Sequence, residues 1–211
     1  MIIYFHICQQ GQWKRSFTII MNKIKESGLY DNVHEIRCGV VNESGILIPD
    51  DLLNDPKIKI IHVGYSHEYE RPTLLHMRNS NNDTKYLYCH TKGIRWFGTN
   101  KENNIIDWIN LLVYWNIERW RDAALALDTY DTYGCNFYKK NNCIPNHYSG
   151  NFFWVTSNHI KKLTTIIGSN YNDPEFWLFH TNLPYKYLNA YSSGLEGMGH
   201  YEQLYPGHLY K

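Results

Sequence analysis

Four residues after an apolar run combine side chains that suit a diphosphate. The run over residues 86–89 is followed by His90, Thr91, Lys92 and Gly93. A lysine ammonium supplies a point charge, threonine and backbone amides donate hydrogen bonds, and glycine lets the backbone approach closely. The same four residues also fit an ordinary polar strand end. The segment is therefore a candidate phosphate site, and its place in the fold decides between the two interpretations.

A short segment near the carboxyl end, residues 172–177, places two carboxylates among aromatic rings. Desolvation by such rings raises a carboxyl pKa, so Glu175 and Asp173 are candidate general bases. An alternative makes Asp173 the N-cap of a helix that begins at Pro174. An acid such as Glu175 in a first helical turn also favours the helix dipole.

Other side chains are candidates for contacts with a nucleotide or a sugar. His6 is either a satisfied core histidine or a base or ribose contact, and Tyr65 is a candidate to stack on a nucleobase. The loop that contains His147, Ser149 and Asn151 offers imidazole, hydroxyl and amide groups to sugar hydroxyls. A simple turn explains the serine in this loop equally well.

Charged residues elsewhere have competing explanations. Arg78 is a candidate to reach phosphate or base, and Asp131 to bind a sugar hydroxyl or to support Lys92. A surface salt bridge is the alternative for both. Glu68 and Glu70 are spaced like an acidic metal motif, but they precede a helix, where acids favour the dipole.

The elements that must position these residues follow from apolar spacing. Trp13, Phe17, Ile20 and Ile24 predict a helix that stops at Gly28. Strands are predicted over residues 1–8, 33–41, 58–65, 86–89, 133–138 and 151–156, and further helices over 70–79, 104–127 and 158–167, with loops and short strands beyond 183. The third strand is nearly all apolar, which predicts cover on both faces.

Strands that alternate with helices predict an α/β fold with a mostly parallel, doubly wound sheet. In such sheets ligands bind beyond the carboxyl ends of the strands, at the topological switch point. The ends of strands one, three and four, at residues 6–9, 65–67 and 90–93, are therefore expected to line one cleft.

Composition narrows the class of protein. A chain of 211 residues predicts a single domain, and 21 basic against 20 acidic residues give no field to attract nucleic acid or an anionic membrane. Five cysteines without a C-x-x-C pair predict free thiols in a reducing compartment. With no apolar run near the length of a membrane span, a cytoplasmic location is expected. Neither a dinucleotide fingerprint nor a P-loop motif is present.

Five segments together carry a more specific signal. They are YERPTL at 69–74, LYCHTKG at 87–93, WRD at 120–122, HYSGNFFW at 147–154 and EFW at 175–177. Their order and spacing over residues 60–180 resemble a family of GT-A-type glycosyltransferases. The chain is also similar to the amino-terminal glycosyltransferase domains of large chlorella virus proteins, which implies a larger multidomain polypeptide in a host cytoplasm.

The resemblance implies a GT-A fold with a Rossmann-like sheet flanked by helices. Residues 1–100 would hold the nucleotide-sugar and residues 101–211 the acceptor. The implied reaction moves a hexose or deoxyhexose from a nucleotide-sugar, with UDP favoured over TDP and GDP, to a glycan or glycoprotein. Glu175 aligns with the family pattern as first choice for the catalytic carboxylate, and Trp177 beside it is assigned to the substrate. A carbohydrate- or nucleotide-binding module without catalysis is the alternative.

One departure from the family concerns metal. Many members carry Asp-x-Asp after the fourth strand, where the carboxylates hold a divalent cation; this chain has His90, Thr91 and Lys92 there. A lysine repels a cation and itself neutralises phosphate charge. Three alternatives stay open: His90 ligates Mn²⁺, a Mn²⁺ or Mg²⁺ ion is held mainly by the donor diphosphate, or no metal is needed.

Overall fold

A computed structural model describes residues 1–196 and 199–211. The strands are β1 (Ile2–Cys8), β2 (Glu35–Asn42), β3 (Ile58–Tyr65), β4 (Lys85–His90), β5 (Thr132–Gly134), β6 (Phe137–Tyr138), β7 (His147–Tyr148), β8 (Phe153–Thr156) and β9 (Tyr187–Asn189). The α-helices are α1 (Trp13–Glu26), α2 (Leu29–Asn32), α3 (Arg71–Asn79), α4 (Glu102–Val113), α5 (Trp120–Ala126), α6 (Ser157–Lys162), α7 (Asp173–Phe176) and α8 (Gly199–Glu202).

The central sheet confirms the predicted fold class, an α/β fold with a mostly parallel sheet flanked by helices. Its seven strands in the described part of the chain have the order β3-β2-β1-β4-β8-β5-β9. The first four are mutually parallel, whereas β8 runs antiparallel to both β4 and β5. The chain moves outward from β1 to β3 and then returns to place β4 on the other side of β1. The switch point therefore lies between the carboxyl ends of β1 and β4.

Alternate side chains of β1 and β4 enter two separate cores. Phe5 and Leu87 face the core that receives α1 and α4, while Tyr4 and Tyr88 face the core that receives α3 and α6. The α1 stripe of Trp13, Phe17, Ile20 and Ile24 is buried as predicted. Helices thus cover both faces of the sheet, and in residues 1–196 and 199–211 none is long and apolar enough to cross a membrane.

Two predicted elements differ because of their surroundings. The third strand is an edge strand, and its Lys59 and Ile60 are exposed, so its apolar composition was wrongly taken as cover on both faces. The long helix is broken by a π-helical turn, Tyr114–Glu118. The carbonyl of buried Asn116 accepts the Trp154 indole N–H at 2.7 Å, and such an inserted donor opens the helical ladder.

The carboxyl-terminal half contains the shortest elements. The strand predicted over 133–138 is interrupted at Asn136, whose φ of 53° is left-handed. The helix predicted over 158–167 ends at Lys162, because Leu163 turns to extended backbone and is buried. Short elements and tight turns here bring several loops back over the carboxyl ends of β1 and β4.

Candidate functional site

A cavity of about 840 Å³ lies at the switch point between β1 and β4. The ends of strands one, three and four all contribute to its wall, as predicted, together with the loop after β7 and helix α7. Among the predicted residues, it brings together His6, His90, Thr91, Lys92, Gly93, His147, Ser149, Asn151 and Glu175.

Thr91 and Gly93 fix the backbone at the end of β4. The Thr91 N–H donates to the carbonyl of His6 at 2.9 Å, and the Thr91 hydroxyl oxygen accepts the N–H of Cys8 at 2.9 Å. Gly93 has a φ of 71°, and a Cβ there would lie 2.2 Å from Cγ2 of Ile105. Threonine and glycine are therefore required where the end of β4 packs against the end of β1, independently of any ligand that they contact.

Replacing Gly93 by alanine is expected to lower the free energy of unfolding by about 2–4 kcal/mol, from left-handed strain plus overpacking against Ile105. Gly98→Ala is the matched control, because Gly98 has a φ of 79° but a Cβ added there would meet no atom within 4 Å. It should lose only about 1 kcal/mol. Urea unfolding measures both, and equal losses would contradict the steric argument. Ile105→Leu, which removes Cγ2, should partly rescue Gly93→Ala.

Lys92 is a buried cation with no anionic partner in the part of the chain that the structure describes. Only 7% of the residue is exposed, and its ammonium lies 3.8 Å from the centroid of the Trp108 ring. Within the described residues it forms no salt bridge, and its ammonium donates no hydrogen bond. A buried ammonium that lacks an acceptor is unfavourable, so this position is suited to an anionic ligand.

Further donors lie beside Lys92. Arg95 also lines the cavity, and its guanidinium has no carboxylate partner in the described part of the chain. The backbone N–H groups of Gly93, Ile94 and Arg95 likewise have no acceptor among the described residues. Consecutive free N–H groups with two cations form a favourable environment for phosphate oxygens. We call this part of the cavity the cationic end, defined by Lys92 to Arg95.

His90 lies between the cationic end and two carboxylates. Its Nε2 donates to the carbonyl of Gly150 at 3.1 Å, and its Nδ1 is 4.0 Å from Oε1 of Glu70. Burial, with a second contribution from Lys92, lowers the pKa of His90 to about 3. The imidazole is therefore neutral at physiological pH.

Glu175 presents one oxygen to the cavity while the other is held. Its Oε1 accepts the N–H of Gly150 at 2.9 Å, and its Oε2 has no hydrogen-bond partner within residues 1–196 and 199–211. Gly150 thus binds Glu175 through its N–H and His90 through its carbonyl. A carboxylate anchored through one oxygen is well placed to accept a proton through the other.

His6 is buried, and it lines the cavity while its Nδ1 bonds the hydroxyl of Thr73 at 2.9 Å. Burial lowers its pKa from 6.5 to about 4. Between these values the unfolded state binds a proton that the folded state does not, so stability is present above pH 6.5 and is lost as pH falls.

The free energy of unfolding is therefore expected to fall between pH 7 and pH 5, with His6 alone contributing about 2 kcal/mol. Urea unfolding at each pH measures the slope. His6→Gln retains a group able to bond the Thr73 hydroxyl but does not titrate, so its slope should be shallower. A slope unchanged by the substitution would show that His6 is not responsible.

The opposite wall combines polar groups with rings. His147 is stacked on Tyr138 with centroids 5.2 Å apart and meets Phe176 edge-on at 5.1 Å. Ser149 and Asn151 are buried on the same loop, and Asn151 has a left-handed φ of 56°. Rings beside hydrogen-bonding groups are suited to the faces and hydroxyls of a sugar.

Five predicted residues do not line the cavity. Tyr65 is 53% exposed and packs against Gly45 and His67. The Arg78 Nε donates to the carbonyl of Leu163, at the far end of α3. Trp177 is 1% exposed, with its indole N–H bonded to the carbonyl of Thr164, so it is a core residue. The family resemblance assigned Trp177 to the substrate, whereas the structure buries its ring in the core.

The two remaining acids have structural partners instead. Asp131 accepts the backbone N–H of Lys186 and lies 3.9 Å from the ammonium of Lys162, rather than supporting Lys92. Asp173 accepts the N–H of Asn170 at 2.7 Å, while Asn172 is the N-cap of α7. The prediction that Asp173 is the N-cap of this helix was therefore wrong, because Asn172 holds that position and the Asp173 carboxylate accepts an N–H from the preceding turn.

Sequence reasoning missed much of the cavity wall, including an acidic, an aromatic and a basic side chain. Glu70 was assigned to a helix dipole, and Trp108 and Arg95 were not candidates, yet all three line the cavity. Arg95 could have been found, because it follows the candidate phosphate segment by two residues. The position of Trp108 depends on how α4 packs, which a single sequence does not specify.

The described residues do not form a protein metal site. No group of three or more His, Cys, Asp or Glu side chains in the described ranges is arranged to hold an ion. In the cavity, His90 Nδ1 and Glu70 Oε1 lie 4.0 Å apart, and Lys92 is close enough to contribute to the lowered pKa of His90. A cation at this end would therefore depend on ligands supplied by a bound molecule.

Comparison with known proteins adds little to this geometry. No protein-family model matches the sequence, and no curated protein matches it. Among solved structures, the chain is similar to 4-diphosphocytidyl-2C-methyl-D-erythritol synthase from Anaerococcus prevotii, with 11% identity, 92% of this chain and 89% of that chain covered, and a TM-score of 0.49. A likeness at this level carries no argument about function.

Proposed function

We propose that the chain is a glycosyltransferase that moves a hexose or deoxyhexose from a UDP-sugar to a glycan or glycoprotein acceptor. The observation that carries the proposal is the buried Lys92 at the switch point, which has no anionic partner among the described residues. It lies in the same cavity as Glu175, of which only Oε1 is hydrogen-bonded within those residues. The cationic end is suited to bind the diphosphate of the donor. The carboxylate is suited either to take a proton from the acceptor hydroxyl or to stabilise the anomeric carbon of the sugar.

The donor would bind with its diphosphate at the cationic end. Lys92, Arg95 and the free N–H groups of residues 93–95 would stabilise the negative charge that develops when the diphosphate leaves. Because the buried Lys92 ammonium and the backbone N–H groups are already in place, they need no reorganisation when the bond breaks.

The acceptor hydroxyl would enter from the side of His147 and Asn151. With inversion, its oxygen bonds to the anomeric carbon, the bond from that carbon to the phosphate oxygen breaks with its electron pair, and Glu175 takes the hydroxyl proton. With retention, Glu175 would instead stabilise the anomeric carbon as a nucleophile or ion-pair partner. Both courses use the free Oε2 of Glu175.

A divalent cation, Mn²⁺ or Mg²⁺, enters the proposal only as a partner of the donor diphosphate. The described residues offer His90 Nδ1 and Glu70 Oε1 but no complete ligand set. None of the steps above depends on the ion.

The test is a thermal-shift screen of UDP-, TDP- and GDP-sugars, each with and without Mn²⁺. A bound donor at a hundred times its Kd should add about 2.7 kcal/mol of stability, which corresponds to a rise in Tm of about 5–10 °C. Lys92→Met is the matched control: with an affinity about a hundredfold lower, it should gain only about 0.4 kcal/mol at the same concentration, a rise in Tm of about 1 °C. If no nucleotide or nucleotide-sugar raises the Tm of the wild-type protein, the proposal fails.

A further inference from the structure

Glu70 is a second carboxylate of the cavity, and the proposed reaction does not use it. Its Oε2 accepts the hydroxyl of Tyr88 at 2.6 Å and the side-chain amide of Asn151. Tyr88 is fully buried in the sheet, so the carboxylate is held in one orientation. Its Oε1 lines the same space and receives no hydrogen bond from any described residue.

His90 presents to this space a second acceptor, which receives no hydrogen bond from any described residue. A carbonyl oxygen only accepts, so the hydrogen bond to Gly150 requires the imidazole proton on Nε2. The neutral imidazole then carries its lone pair on Nδ1. Nδ1 lies 4.0 Å from Oε1 of Glu70, which is too far for a direct hydrogen bond, and neither atom has a proton to share.

Both side chains are mostly buried, with 14% of His90 and 20% of Glu70 exposed. Two buried acceptors without donors are unfavourable unless a ligand supplies two protons. Adjacent hydroxyl groups of a sugar ring do so, one to each acceptor. An ammonium or a metal ion is less suited, because Lys92 is close enough to lower the pKa of His90 and the described residues add no third ligand.

We propose that Glu70 Oε1 and His90 Nδ1 form a two-acceptor subsite that binds two adjacent hydroxyls of a sugar ring. The inference rests on the proposed function and deepens it, because it makes Glu70 a specificity-determining residue for the ligand. The diol belongs either to the ribose of the nucleotide or to the transferred hexose. The chemistry is the same in both cases, and the two sources are separable by analogues.

The experiment compares affinities for ligands that lack single hydroxyls. Calorimetry gives the Kd of UDP and its 2′- and 3′-deoxy analogues, and of UDP-glucose and its 2-, 3- and 4-deoxy analogues. We expect the wild-type protein to lose ten- to hundredfold in affinity when a hydroxyl of the bound diol is removed. Loss in the first series assigns the diol to ribose, and loss in the second assigns it to the hexose.

Glu70→Gln supplies the decisive comparison. The N–H₂ group of the new amide must face either the Tyr88 and Asn151 donors that held Oε2 or the diol, and in either case one acceptor is lost. The ratio between the Kd of the deoxy analogue and the Kd of the parent ligand should therefore fall below about threefold. Glu68→Gln is the matched control, because Glu68 pairs with His62 and does not line the cavity. It should keep the wild-type discrimination. Tyr88→Phe, which loosens Glu70 without replacing it, should give an intermediate result and serves if Glu70→Gln does not fold.

Two results would overturn the subsite. The first is a Glu70→Gln variant that distinguishes every deoxy analogue from its parent ligand as strongly as the wild-type protein does. The second is that the nucleotide-free wild-type protein binds Mn²⁺ and that Glu70→Gln abolishes this binding. Binding of UDP itself keeps this failure separate from failure of the proposed function. If UDP binds the wild-type protein and Lys92→Met loses it, the donor site stands without the diol subsite. If UDP does not bind at all, both proposals fall.

Discussion

Replacing Lys92 by methionine is expected to lower the affinity for UDP by about a hundredfold while the free energy of unfolding stays equal to, or above, that of the wild-type protein. Loss of a buried charge partner for a phosphate costs about 2–5 kcal/mol of binding energy. Stability should not fall with it, because the substitution removes a buried ammonium that has no anionic partner in the described residues. Methionine also packs well against the Trp108 ring.

Lys85→Met should show the reverse pattern. The Lys85 ammonium donates to the carbonyl of Ala124 and to the Asp128 carboxylate, at the opposite end of β4 from the cavity. Its loss should reduce stability and leave the Kd of UDP unchanged. Calorimetry and urea unfolding on both variants give the four values. A Lys92 variant that binds UDP normally, or that loses as much stability as Lys85→Met, would contradict an anion site at Lys92.

Replacing Glu175 by glutamine is expected to reduce turnover by about 10²- to 10⁴-fold with donor affinity retained. The amide oxygen can still accept the N–H of Gly150, so the backbone should keep its place while the proton acceptor is lost. The measurement is release of UDP in the presence of donor and acceptor, beside a direct measurement of donor binding.

Asp173→Asn is the control for this loss. Asp173 is two residues from Glu175 on the same short helix, but its carboxylate caps the N–H of Asn170 and does not line the cavity. Turnover should change little. Wild-type turnover in Glu175→Gln would exclude its role as base, and absence of turnover in the wild-type protein, with nucleotide binding intact, would favour a binding module.

The amino-terminal half of the fold was predictable because its signals are long and regular. The α1 stripe and the apolar runs of β1 and β4 are local patterns, and parallel sheets place their ligands by a general rule. From that rule alone, the sequence predicted that the segment from His90 to Gly93 and the end of β1 line one cavity.

The carboxyl-terminal half was less predictable because nonlocal contacts decide it. The turn at Asn136 and the break at Asn116 depend on partners far along the chain. The side-chain type of Trp177 or Tyr65 does not reveal which of its neighbours it packs against. Glu70, conversely, lines the cavity although it was not predicted to, because its position depends on Tyr88 and Asn151, which lie 18 and 81 residues away in the sequence.

Gly150 links the two functional parts of the cavity through a single residue, because its N–H and its carbonyl lie in the two successive peptide planes that share its Cα. His90 is bound to the carbonyl and Glu175 to the N–H, so the separation between them depends on the φ and ψ of this one glycine, which Leu112 packs against so closely that a Cβ would not fit. Adaptation to sugars of different size would then have to come from the opposite wall, around Tyr138 and Ile144. Substitutions at that wall would then change which sugars bind, while the relative positions of His90 and Glu175 stay constant.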